Sequence, residues 1–95
     1  MAADAVLFAR SNRALDRRVG VDVLVTTPDD ERVHHLSGGA AAVWAHLSAP
    51  RSLTELVDGL ARTYRVPPER IHREIASCVD DLVGIGVIEV VGSDG

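Results

Sequence analysis

The residues of this 95-residue chain whose chemistry goes beyond packing are few: four histidines, one cysteine, a Ser37-Gly38-Gly39 turn and an Asp80-Asp81 pair. Histidines at ligand spacing would hold zinc, but His34 and His35 are adjacent and on a strand point to opposite faces. His46 and His72 fall on separate helical segments, neither with a partner four residues on, so no metal site is expected. Cys78 would need a cation or a helix N-terminus nearby to become a nucleophile; it lies in an apolar register, where a thiol packs as a small hydrophobe. Ser37-Gly38-Gly39 has neither the lysine of a P-loop nor the full dinucleotide glycine spacing, which leaves the start of a helix. Asp80 and Asp81 would have to converge on one atom for paired acid–base work, and helix neighbours diverge by roughly 100°. None of Ser37, Ser48, Ser52 and Ser77 sits in the Asp-Ser-Leu-like setting of a phosphopantetheine carrier. The inventory predicts a binding protein rather than an enzyme, with no cofactor.

Composition narrows the class of ligand. Fourteen acids against ten arginines and no lysine give a formal charge of −4, which predicts no general attraction to nucleic acid or anionic lipid. One cysteine rules out an internal disulfide framework. No apolar run approaches the ~18 residues of a spanning helix, and Asp4 stands where a signal peptide would want positive charge, so a cytoplasmic protein is expected. The length suits one compact domain whose small core favours a binding scaffold over a deep catalytic pocket.

The elements that position these residues follow from periodicity. Residues 1–13 show no sustained period and are read as a flexible N-terminal arm that docks, if at all, through Val6, Leu7 and Phe8. From Ala14 to Leu36 the period is two: Leu15 and Arg17 alternate with Asp16 and Arg18, and Val21, Val23 and Val25 with Asp22, Leu24 and Thr26. Gly20 and Pro28-Asp29-Asp30 supply turns, and Arg32–Leu36 returns as a third antiparallel strand. Ser37 is placed to cap a first helix with Ala40, Val43, Trp44 and Leu47 on one face, ended by Pro50. Ser52-Leu53-Thr54-Glu55 has capping-box spacing and opens a second helix with Leu53, Leu56, Val57, Leu60 and Tyr64 on one face. Pro67-Pro68 opens a third, with Ile71, Ile75, Cys78, Val79 and Leu82 as its buried stripe, stopped at Gly84 and Gly86. Val87–Val91 is read as a short last strand, and residues 92–95 as a disordered tail.

The ordered set of segments resembles the PqqD family, or RiPP recognition element. The likeness runs through "RRV" at Arg17–Val19, "VHHLSGGAAAVWAHL" at Val33–Leu47, "PRSLTELVDGLARTY" at Pro50–Tyr64, "RVPPERIHREI" at Arg65–Ile75 and "LVGIGVIEV" at Leu82–Val90. It covers residues 14 to about 90. Departures are Ser37 where some members have Asn, and His34-His35 where many carry Tyr or Val.

The resemblance implies an α+β, winged helix-turn-helix-like domain over residues 14–91, with a three-stranded antiparallel sheet followed by three helices. It further implies that a leader peptide adds as a strand along the third strand, its side chains entering a groove beside the third helix. Unpaired N–H and C=O groups of a strand edge would supply affinity, and alternate side chains specificity. The implied contacts are Arg32, Val33, His34 and His35 on the strand and Arg70, Arg73, Glu74, Ser77, Cys78 and Asp81 on the helix. The implied partners are a precursor peptide and a separate modifying enzyme such as a protease, cyclase or radical enzyme, with a homodimer left open and no nucleic acid or membrane. Two other readings remain: a winged helix-turn-helix DNA regulator, which the charge disfavours, and a general interaction or dimerisation domain.

Overall fold

The structure, a computed structural model, describes residues 6–28 and 30–92. In chain order these form β1 (Leu7–Arg10), β2 (Leu15–Val19), β3 (Asp22–Thr27), β4 (Asp30–Leu36), α1 (Gly38–His46), α2 (Leu53–Tyr64), α3 (Pro68–Gly84) and β5 (Ile88–Val91). The expected α+β order holds: β2, β3 and β4 make one antiparallel sheet in that spatial order, and three helices follow.

Local chemistry explains the boundaries. Gly20 at φ +65° and Val21 form a two-residue turn that closes β2 on β3 with Val19 opposite Asp22; a glycine at the first turn position with positive φ matches the twist of the flanking strands. Alternation then buries Val23 and Val25 while Val21, in the turn, is 84% exposed. At the start of α2 the Ser52 hydroxyl accepts the Glu55 N–H at 3.1 Å and the Glu55 carboxylate accepts the Ser52 N–H at 2.9 Å, a complete capping box. Ser37 does not cap α1 as expected: no side-chain bond forms, and the chain enters that helix through Gly38 at φ +56°. α3 opens at Pro68, where the absent N–H is no loss, and ends before Gly86 at φ +85°.

The core gathers Val23, Val25 and Leu36 from the sheet, Val43, Trp44 and Leu47 around α1, Leu56, Val57 and Leu60 from α2, and Ile75, Val79 and Leu82 from α3, closed by Val87 and Ile88. Ile71 and Cys78, expected in the α3 stripe, flank this core half-buried. Tyr64 departs further, being exposed at the last turn of α2.

The reading of residues 1–13 as a flexible arm is corrected for Leu7–Arg10. These residues form β1, paired antiparallel with β5 from Leu7↔Val91 to Arg10↔Ile88. Phe8 also exchanges two backbone hydrogen bonds with Arg51, at 2.8 and 3.0 Å. Four residues are too few to show a period, and their partners lie at the other end of the chain, so only the folded chain brings out this strand. Residues 1–5 and 93–95, the ends of the expected arm and tail, and Asp29 of the expected turn lie outside the described residues.

Candidate functional site

β4 is an edge: among the described residues it pairs only with β3. Its pairing is interrupted by a bulge. Val25 faces His34 and Thr27 faces Asp30, so Glu31, Arg32 and Val33 bulge opposite the single Thr26. In a straight strand residues four apart are separated by ~13 Å, yet His34 Nε2 lies 2.8 Å from Asp30 Oδ2; the bulge folds the strand enough for this contact. The other Asp30 oxygen accepts the Arg32 N–H at 2.9 Å. That backbone bond and the His34 ring hold the Asp30 carboxyl below its ordinary range. The Arg32 amide is thereby satisfied within the strand.

Alternation separates the two adjacent histidines. His34 shares the face of buried Leu36, and its side chain is only 13% exposed. His35 shares the face of Val33, itself 59% exposed, and its Nε2 lies 2.7 Å from Asp22 Oδ2 diagonally across β3. Within Val33–Leu36, His35 and Val33 are thus the open side chains, whereas His34 is tied down beside the core.

On α3, Arg70, Arg73, Glu74, Ser77 and Asp81 are all exposed. At ~100° per residue Arg70, Glu74, Ser77 and Asp81 form one row, with Arg73 at its side and Cys78 between that row and the core stripe. Cys78 marks where α3 meets the start of α1: a Cβ on Gly39, three residues after β4 ends, would stand 3.3 Å from its Sγ. The thiol pKa is raised, chiefly by burial and further by the Glu74 and Asp81 charges, so the thiolate is disfavoured and Cys78 packs. No hydrogen bond or ion pair joins the β4 residues to the α3 row among the described residues. His46 and His72 lie apart from both, and no group of three metal-binding side chains occurs among the described residues.

One cluster was not legible in the sequence. The Arg10 guanidinium donates to the Trp44 carbonyl at 2.7 and 3.1 Å and lies 4.6 Å from the centre of the same indole. The indole N–H donates to Asp16 at 2.9 Å. These three residues lie 6 and 28 positions apart with no periodic relation, and the sole tryptophan was the only signal. The cluster forms one wall of a cavity of about 280 Å³ between β2 and α1, also lined by Arg18, Val21 and Tyr64. No residue of β4 lines that cavity.

The family described as coenzyme PQQ synthesis protein D (PqqD) matches residues 22–88, from β3 to the start of β5. The match spans well over half of the chain, and the chain belongs to that family. Two solved structures share its fold. TbiB1, in complex with the TbiA(beta) leader peptide, superposes with a TM-score of 0.75 over 85% of this chain and 94% of its own, at 16% identity. The PqqD truncation of Methylobacterium extorquens PqqCD, a functional and stand-alone RiPP recognition element solved by NMR in solution, superposes with a TM-score of 0.69 over 87% of this chain and 88% of its own, at 20% identity. No curated protein matches the chain. No helix among the described residues is long and apolar enough to cross a membrane.

Proposed function

We propose that the chain is a RiPP recognition element: it binds the leader segment of a ribosomally made precursor peptide and presents it to a separate modifying enzyme, performing no chemistry itself. The observation that carries this reading is the outer edge of β4, unpaired among the described residues of a PqqD-family chain. The leader adds as a strand along Val33–Leu36, because Asp30 already occupies the Arg32 amide. Val33 and His35 meet leader side chains on the open face. The row Arg70, Arg73, Glu74, Ser77 and Asp81, with Cys78 at its base, forms the helical wall, and the Arg32 side chain lies at the rim. The relatives support the reading, since TbiB1 was solved with a leader peptide and the Methylobacterium domain is itself a recognition element.

The DNA-binding alternative has no basic recognition helix: α3 carries Arg70 and Arg73 against Glu69, Glu74, Asp80 and Asp81. Fluorescence polarisation with labelled leader segments of precursor peptides encoded beside this gene tests the proposal, with a DNA duplex as control. Saturable binding at micromolar or tighter to one leader and none to DNA is the expected result. Binding to DNA alone, or to neither, would overturn it.

A further inference from the structure

We propose that β2, the opposite edge of the same sheet, is a dimerisation edge that pairs antiparallel with β2 of a second copy of this chain, centred on Arg17. The inference does not depend on the leader reading. Among the described residues β2 pairs only with β3, and all five of its residues are exposed. Natural edges are guarded by short length, charged side chains, prolines, bulges or covering segments. β4 has a bulge, whereas β2 runs in unbroken register from Leu15↔Thr26 to Val19↔Asp22 without proline, and its guard is three charges, Asp16, Arg17 and Arg18, of which Asp16 and Arg18 are opposite in sign.

The sequence of the edge fits itself. In an antiparallel pair centred on Arg17, Leu15 faces Val19 of the second copy and Asp16 faces Arg18, and the two-fold axis repeats both pairs. Leu15 and Val19 are 71% and 53% exposed, so their pairing removes apolar surface that the monomer leaves in water. Asp16 and Arg18 share the face that lines the cavity beside α1. Arg18 makes no ion pair among the described residues. Asp16 uses Oδ2 for both Trp44 and Arg10, which leaves Oδ1 for a guanidinium from the second copy. The register has one unfavourable element, Arg17 facing Arg17 on the axis. The contact is short, so the dimer is weak and populated at high concentration. Its six-stranded sheet keeps a β4 edge at each end.

Sedimentation velocity of the full chain from low micromolar to millimolar concentration tests this. The 10.1 kDa monomer should shift toward twice that mass. Arg17→Thr, which removes the repulsion on the axis, should tighten association roughly fivefold, and Arg18→Glu, which turns both ion pairs into like-charge pairs, should weaken it about tenfold or more. Both sites are exposed, so the variants are expected to fold, and circular dichroism checks this. In amide NMR spectra the concentration-dependent shifts should fall on Leu15–Val19 and spare Val33–Leu36. A monomer at every concentration, or association that ignores Arg17 and Arg18, would overturn the proposal. Leader titration of Arg18→Glu separates the two readings: unchanged affinity in a monomeric variant leaves the β4 site standing.

Discussion

At the scale of single residues, the decisive chemistry lies in hydrogen bonds that remove groups from availability. Asp30 satisfies the Arg32 amide and anchors His34, so two groups of an edge strand are settled inside the protein. The same contacts make stability sensitive to acid. Because the carboxyl's folded pKa is lowered, its ionised form stabilises the fold above its ordinary value of 3.8, and that contribution is lost as pH falls through the lowered value. Asp30→Asn is expected to shift the urea midpoint downward at pH 6, and the difference from the unsubstituted protein should vanish toward pH 2. A gap that persists undiminished in acid would assign the effect to packing instead. Cys78, in the expected helical register, has the raised pKa of a packed thiol. The Arg10–Trp44–Asp16 cluster could not be read from the chain, because cation–π and indole contacts depend on where distant segments meet.

At the scale of elements, capping and turn chemistry account for the boundaries that were legible and for the one that was not. Ser52 and Glu55 satisfy each other within four residues, so the start of α2 is local information. Ser37 has the right residue type, but the left-handed entry through Gly38 decides the geometry. α2 ends on Arg65 at φ +60°, a left-handed conformation that a side chain strains and glycine adopts freely. Arg65→Gly should therefore raise the unfolding free energy by about 0.5 to 1 kcal/mol, measured by denaturant melts. Unchanged or reduced stability would mean that the arginine side chain contributes more than the strain removes. On β4, Val33 has no opposite residue on β3. Val33→Pro should thus leave the thermal midpoint nearly intact while weakening leader binding by about 1 to 2 kcal/mol through the lost N–H. Collapse of the fold would place that amide in the internal ladder.

At the scale of the whole molecule, a three-stranded sheet with two differing edges organises the surface. One edge is bulged, with the Arg32 amide satisfied from within the strand, and the other is straight. With a net charge of −4 and a recognition-type helix of mixed charge, leader binding should rest on backbone pairing and vary less than about threefold between 50 and 200 mM salt. A steep loss across that range, measured by fluorescence polarisation, would point to charge-driven capture. The order of three strands and three helices, the capping box, the absence of disulfide and ligand spacing and the resemblance to the PqqD family were all properties of the sequence, because each depends on residues within one or two turns or one hairpin. Tertiary structure alone decided the β1–β5 sheet, the bulge that joins Asp30 to His34, the approach of Cys78 to Gly39 and the indole cluster. Those contacts join residues whose separation in the chain carries no period, or depend on how a strand bends, and such geometry exists only once the core has closed.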